Sequence, residues 1–244
     1  MLIRQGHTRN HAIDRRLACV LATVAGAVNT VAFHAVGFFS ANMTGNVSTF
    51  SDRMAQGEWL AGAFYLSIVL TFILGASAST LMVNAGRRRN IRSVYALLIL
   101  AEAVLLALLG MAEMFLQIPD RGAILVLGLS FLMGLQNAVV TRISDARVRT
   151  THVSGMSTDI GIELGIWLDK ARGRDIPGMS DGYREKLGLH VRTVLSFLIG
   201  GVLGVVLYRY IGLALLFVAA AGLFVLATSG IVRSRAEAGS FAAE

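Results

Sequence analysis

The sequence is poor in the residues that hold soluble domains together. One cysteine, Cys19, stands in 244 residues, which excludes an intrachain disulfide framework and a multi-cysteine zinc cluster. Two prolines exclude collagen-like and proline-rich disordered chains, although glycine is frequent at 26. Charged residues make up only 15%, against about a quarter in an ordinary soluble domain. Enzyme signatures are missing as well. There is no glycine-rich phosphate loop ending in Lys-Ser or Lys-Thr and no HExxH; the one near approach to a G-x-S-x-G elbow, Val153-Ser154-Gly155-Met156-Ser157, lacks the required glycines. His34, His152 and His190 stand far apart in sequence. No metal, cofactor or catalytic residue is therefore expected, and the chain does not read as an enzyme. What is abundant is apolar, 55% of the residues with a mean hydropathy of +0.66, so the reading that survives is an integral membrane protein.

Crossing about 30 Å of hydrocarbon as a helix takes about 20 mainly apolar residues, and six stretches qualify: 17–37, 61–83, 94–114, 123–141, 189–208 and 211–232. Short segments of alternating hydrophobicity, the mark of an outer-membrane barrel, do not recur. Arg15 and Arg16 before the first stretch resemble the start of a signal peptide, but Asn29, His34 and five further spans favour a membrane-crossing helix.

The basic residues are distributed unevenly. Arg4, Arg9, Arg15 and Arg16 precede the first span; Arg87, Arg88, Arg89 and Arg92 lie in the second connection; nine lie between Arg142 and Arg192; Arg233 and Arg235 follow the last span. The three opposite connections hold only Arg53, Arg121 and Arg209, a split of 19 to 3. By the positive-inside rule both termini are expected in the cytoplasm. That topogenic role explains the Arg87-Arg88-Arg89 run, so no nucleic-acid partner is implied.

The two halves match at nearly constant offset. Gly26-Ala27-Val28-Asn29-Thr30-Val31 parallels Gly134-Leu135-Gln136-Asn137-Ala138-Val139 at 108 residues, and Thr44-Gly45 parallels Ser154-Gly155 at 110. Leu70-Thr71-Phe72-Ile73-Leu74-Gly75 parallels Leu195-Ser196-Phe197-Leu198-Ile199-Gly200 at 125, with a polar insertion about 171–188 absorbing the difference. A duplicated three-helix unit crosses an odd number of times, so its second copy enters from the opposite face. The expected organisation is a basic tail over 1–16, one three-helix repeat over 17–115, its inverted copy over 116–232 and a tail over 233–244.

Each repeat carries a polar, glycine-containing segment after its first helix. Residues 37–46 include Ser40, Asn42, Thr44, Gly45 and Asn46, and residues 150–159 include Thr151, Ser154, Gly155 and Asp159. Irregular backbone at membrane depth is tolerated only where protein or a water-filled cavity satisfies it. These segments are expected to fold inward, the second leading into a half-helix from near Ser157 with Asp159 in its first turn. An interfacial loop followed by a surface amphipathic helix is the alternative.

Asn29 and Asn137 fall at equivalent depths of the first and fourth spans, with Gln136 beside the latter, and a carboxamide there can bind cargo or tie helices together. The small residues Gly75, Ser79, Gly200 and Gly204 suit close helix packing. Glu102, the carboxylate set deepest in a span, is a candidate proton carrier, or an acid hydrogen-bonded to a neighbouring helix. His34 reads as a packed or interfacial histidine.

These motifs carry a family resemblance. Ala25-Gly26-Ala27-Val28-Asn29, Ala41-Asn42-Met43-Thr44-Gly45-Asn46, Met133-Gly134-Leu135-Gln136-Asn137-Ala138 and Arg149-Thr150-Thr151-His152-Val153-Ser154-Gly155 resemble the YoaK family of bacterial six-helix inner-membrane proteins, over about residues 17–229. The resemblance implies a polytopic fold and an inner-membrane location, and no activity. Two positions depart from the family pattern, Asn29 where Asp is more common and Ser154 where Thr is usual.

The sequence thus predicts an all-α integral membrane protein of six helices in a 3+3 inverted repeat, with broken segments after helices 1 and 4. The expected function is a small secondary transporter or permease for a small polar or anionic solute, its site drawn from Asn29, Asn42, Thr44, Gly45, Asn46, Gln136, Asn137, Thr151, Ser154, Gly155 and Asp159. A non-transporting membrane scaffold or regulator is the rival. The bilayer, a small-molecule or ion cargo and further copies of the chain are the expected partners.

Overall fold

The computed structural model describes residues 2, 11–115, 120–174 and 182–241. Much of the expected tail at 1–16 and the centre of the expected insertion at 171–188 lie outside them. Among the described residues eight α-helices follow in order: α1 His11–Val36, α2 Met43–Ala55, α3 Trp59–Arg88, α4 Val94–Phe115, α5 Arg121–Ile143, α6 Val153–Ala171, α7 Tyr183–Ile211 and α8 Leu215–Phe241. No strand occurs among the described residues. By length and composition five helical runs can cross a membrane, four of them being α1 from Ile13, α3, α4 and α5. The fifth, Tyr183–Ser234, has 52 residues and contains both α7 and most of α8. Gly212, at φ +57° and ψ −140°, breaks it, and a single 3-10 turn Gly212–Ala214 follows; that backbone conformation is open to glycine and strained for other residues.

The outer faces are apolar. Leu70, Ile73 and Leu74 on α3, and Leu195, Leu198 and Ile199 on α7, are all exposed at helical spacing. An exposed apolar stripe of this size is unsuited to water and suited to acyl chains. The buried core is drawn mainly from α1, α4, α5 and α8, with Leu17, Leu21, Ile99, Leu106, Leu129 and Leu223 in one cluster.

α1 packs principally on α7, α3 on α5 and α4 on α8, while α2 lies on α3 and α6 on α7. Glycines set the closest approaches. A Cβ at Gly26 would lie 2.9 Å from the carbonyl carbon of Phe197, and one at Gly200 2.7 Å from that of Thr23. Across the other interface, a Cβ at Gly134 would lie 2.9 Å from the carbonyl carbon of Phe72, and one at Gly75 2.8 Å from that of Phe131. These separations are below any carbon–carbon contact, so only hydrogen fits and backbone meets backbone, as in small-residue interfaces of membrane helices. Each interface also carries a hydroxyl bond. Thr30 Oγ1 donates to the Gly201 carbonyl at 3.1 Å between α1 and α7, and Ser130 Oγ to the Ile68 carbonyl at 2.8 Å between α5 and α3.

The polar segments are more helical than the sequence suggests. α2 starts at Met43, so 43–46 are not irregular, and α6 starts at Val153, four residues before the expected start at Ser157. Asp159 accordingly sits in the second turn. Ser and Thr are weak helix formers because their hydroxyls compete for backbone groups, but here the hydroxyls bond back one turn. Ser48 Oγ donates to the Thr44 carbonyl at 3.0 Å and Thr49 Oγ1 to that of Gly45 at 2.9 Å; Ser157 Oγ donates to the Val153 carbonyl at 2.8 Å and Thr158 Oγ1 to that of Ser154 at 3.2 Å. Such back-bonding satisfies hydroxyls that sit inside a helix.

Candidate functional site

The site begins where α1 stops. Gly37, at φ +80°, donates its N–H to the Phe33 carbonyl at 2.8 Å and turns the chain back. The returning segment is pinned to α1 by Asn29, whose Oδ1 accepts from the Ala41 N–H at 2.8 Å. Asn42 then caps α2, its Oδ1 accepting from the Gly45 N–H at 3.1 Å. This satisfies one of the first-turn donors that a helix leaves open.

The second half repeats the device with hydroxyls. Asn137 Oδ1 accepts from Thr151 Oγ1 at 3.0 Å and Thr150 Oγ1 at 3.3 Å, while its Nδ2 donates to the Met133 carbonyl at 2.8 Å. His152 occupies the N-cap position of α6 without a side-chain capping bond, and its ring lies over Gly155, where a Cβ would collide with it. Both asparagines thus hold the chain that leads into the next helix, and the N-termini of α2 and α6 face one cavity of about 750 Å³.

Seven of the sequence-predicted residues line this cavity: Asn29 and Asn137 from the spans, Asn42, Thr44 and Gly45 from the start of α2, and Thr151 and Ser154 from the start of α6. The other four lie elsewhere, for reasons of helical geometry. Asn46 is buried and donates from Nδ2 to the Phe39 carbonyl at 3.3 Å. Gln136, adjacent to Asn137 and so about 100° around α5, is fully buried and donates from Nε2 to Glu102 Oε1 at 2.8 Å. Gly155 lies beneath the His152 ring. Asp159 is five residues beyond Ser154, on another face of α6, and borders a separate cavity of about 410 Å³ with Glu163, Lys186 and His190.

Glu102 is buried and bound to Gln136, with Glu102 Oε2 and Gln136 Oε1 left without a partner. His34 is exposed near the end of α1, its ring 6.3 Å from that of Tyr208. Cys19 is half-buried and free.

Several lining residues were not singled out from sequence. Thr141 is four residues after Asn137 and Ser48 four after Thr44, so helical spacing alone places each beside a predicted residue. Phe72 and Phe197, the equivalent aromatics of the repeat matches, form opposed apolar walls. Arg149 and His152 complete one side; Arg149 Nη1 is 3.4 Å from His152 Nδ1. In the sequence Arg149 stood out as topogenic charge and as the start of the family motif 149–155.

In the second cavity, Glu163 Oε1 is 3.1 Å from His190 Nδ1. Burial pushes the Glu163 carboxyl above its ordinary value, against the opposing pull of His190 and Lys186, and Asp159 pushes it the same way. No group of three or more metal-ligating side chains occurs among the described residues.

Neither a curated protein nor a solved structure matches the chain. A family model does, over residues 17–229, a stretch that takes in both asparagines, both short helices and every residue lining the shared cavity. Its description is "Protein of unknown function (DUF1275)", and with most of its length matched the chain belongs to the DUF1275 family.

Proposed function

We propose that the protein is a small secondary transporter or permease of the bacterial cytoplasmic membrane, built as a 3+3 inverted repeat around the central cavity. The six crossings are α1, α3 and α4 in one unit and α5, α7 and α8 in the other, with α2 and α6 as the short helices after the first crossing of each. Packing supports the repeat, because the offsets read from sequence map one set of contacts onto the other. Gly26 against Phe197 corresponds to Gly134 against Phe72, and Gly75 against Phe131 corresponds to Gly200 against Thr23. The α1–α7 interface corresponds likewise to α5–α3, and α2 on α3 to α6 on α7. The positive-inside split puts both termini in the cytoplasm, so the equivalent segments would approach the cavity from opposite sides.

The observation that carries the reading is the cavity itself. Elements from both halves converge there, two helix N-termini face it, and side-chain amides and hydroxyls line it. Membrane helices held together by polar residues alone have no need of a cavity of about 750 Å³, a size typical of ligand sites at about 300–1,000 Å³. Substrate sites at the interface of inverted repeats, formed by short or broken helices, are the general pattern of secondary transporters.

Purified protein reconstituted in liposomes tests the function. Uptake or efflux of at least one solute among inorganic ions, organic acids, amines and neutral metabolites is the expected result. Absence of flux across that set, with the fold verified by melting, would favour the non-transporting scaffold.

A further inference from the structure

The cavity wall is donor-rich and charged with one sign. Among the described residues lining it, Arg149 is the permanent charge, and no aspartate or glutamate takes part. Asn29 is only 7% exposed, and its orientation is fixed by chemistry. The Ala41 N–H can only donate, so the carboxamide oxygen must face it and the amino group is the free end. That amino group has no hydrogen-bond partner among the described residues and borders the cavity. It is open to the cavity, where water or a solute can accept from it. Asn42, exposed at the start of α2, likewise has its oxygen taken by the Gly45 N–H. Arg149 Nη1 and His152 Nδ1 stand 3.4 Å apart on the same wall. The apolar lining includes the aromatic Phe39, Phe72 and Phe197 beside Ala41, Met43 and Val153, with Phe39 stacked on Phe33 at 4.4 Å between ring centroids.

We propose that this cavity binds an organic monoanion, a carboxylate on an apolar ring-sized body, with its charge matched by Arg149, its oxygens met by the open donors and its body lying against Phe72 and Phe197. One guanidinium balances one negative charge. An ammonium would meet a like charge and a wall without free carboxylates, and a neutral solute would leave the guanidinium uncompensated. The inference rests on the transport reading only in treating the occupant as cargo, since binding is measured without transport.

The experiment is equilibrium binding to the full-length protein in nanodiscs, with benzoate, benzamide and benzylamine as probes of one shape and three charges. A carboxylate–guanidinium pair at the exposed Arg149 favours benzoate over benzamide by about 1.5- to 5-fold, and benzylamine binds most weakly. Arg149→Gln removes that preference while benzamide affinity stays within about twofold, and Arg149→Lys restores part of it. Asn29→Asp keeps the acceptor for the Ala41 N–H while replacing the open donor with a negative charge, and abolishes benzoate binding. Melting of each variant verifies the fold. Benzamide or benzylamine binding as tightly as benzoate, no benzoate binding in the folded protein, or an unchanged preference in Arg149→Gln would each overturn the assignment. Benzoate binding with no flux of any solute in liposomes overturns the transport reading and leaves the site; flux of cations or neutral solutes without benzoate binding does the reverse.

Discussion

The close approach of α1 to α7 and of α3 to α5 makes a quantitative prediction about four glycines. Replacing Gly26 by Ala puts a methyl group 2.9 Å from the carbonyl carbon of Phe197 and 3.0 Å from the Gly201 nitrogen. Both neighbours are helical backbone and cannot rotate away. Ordinary carbon contacts need at least about 3.5 Å, so the two helices must part by roughly 1 Å, loosening the packing along their whole interface. Overpacking of this kind costs about 1–3 kcal/mol. Gly134→Ala meets the same geometry against Phe72 and should cost a similar amount. Gly200→Ala opens the same interface as Gly26→Ala, so the double variant should lose less than the two single losses added together. Gly26→Ala with Gly75→Ala acts on separate interfaces and should be close to additive. Gly161 and Gly165 on α6 have open space where a Cβ would go, and Ala there should be neutral or stabilising by up to about 1 kcal/mol through helix propensity. Thermal or denaturant unfolding in one detergent, followed by tryptophan fluorescence, measures all of these. Equal stability of Gly26→Ala and Gly161→Ala would refute the packing argument, and a large loss at Gly26 with none at Gly134 would refute the equivalence of the two halves.

Three further outcomes follow from the polar contacts. Asn29→Ala strands the buried Ala41 N–H and Asn137→Ala strands the buried Thr150 hydroxyl, so each should cost about 1–3 kcal/mol; an unchanged melting temperature in either variant would contradict this. Glu102→Gln keeps an acceptor for Gln136 and should fold normally, so loss of proton-gradient-driven flux in that variant identifies Glu102 as the coupling carboxylate, and full retention rules it out; Glu102→Leu leaves Gln136 unpaired and should lower stability by about 1–3 kcal/mol. Because burial raises the Glu163 carboxyl, the folded state holds that proton more tightly than the unfolded chain. Its stabilisation is complete below the ordinary carboxylate range and is lost as pH rises through the raised value. Melting temperature should therefore fall from acid towards neutral pH, with a shallower slope in Glu163→Gln; an unchanged slope would exclude the residue as the source.

Helix positions were legible because long apolar runs and the 3.6-residue period leave a strong trace. The break between α7 and α8 was legible only as a gap between runs, since Gly212 acts through a single positive φ. The starts of α2 and α6 lie earlier than composition suggests because Ser, Thr and Gly signal irregular chain, while the one-turn bonds that satisfy the Ser48 and Ser157 hydroxyls within a helix are invisible in composition. Site residues showed themselves where both halves carry the same chemistry, as at Asn29 and Asn137. They were hidden where the halves differ: position 39 is Phe and its counterpart 149 is Arg, and no repeat comparison marks either. Gln136 and Asp159 entered the predicted site by proximity in sequence, although helical rotation carries their side chains onto other faces.

The most direct test of the account is whether the shared cavity opens alternately to the two sides of the membrane. In a Cys19→Ser background, single cysteines at Thr44 and Ser154 are labelled in oriented vesicles with a membrane-impermeant thiol reagent applied from one side at a time. The account predicts that Thr44 reacts from the outside and Ser154 from the cytoplasmic side, and that a bound solute raises one rate while lowering the other, because a ligand shifts an equilibrium only by binding two states unequally. Labelling of both positions from the same side, or at rates that no solute or ion gradient changes, would contradict it.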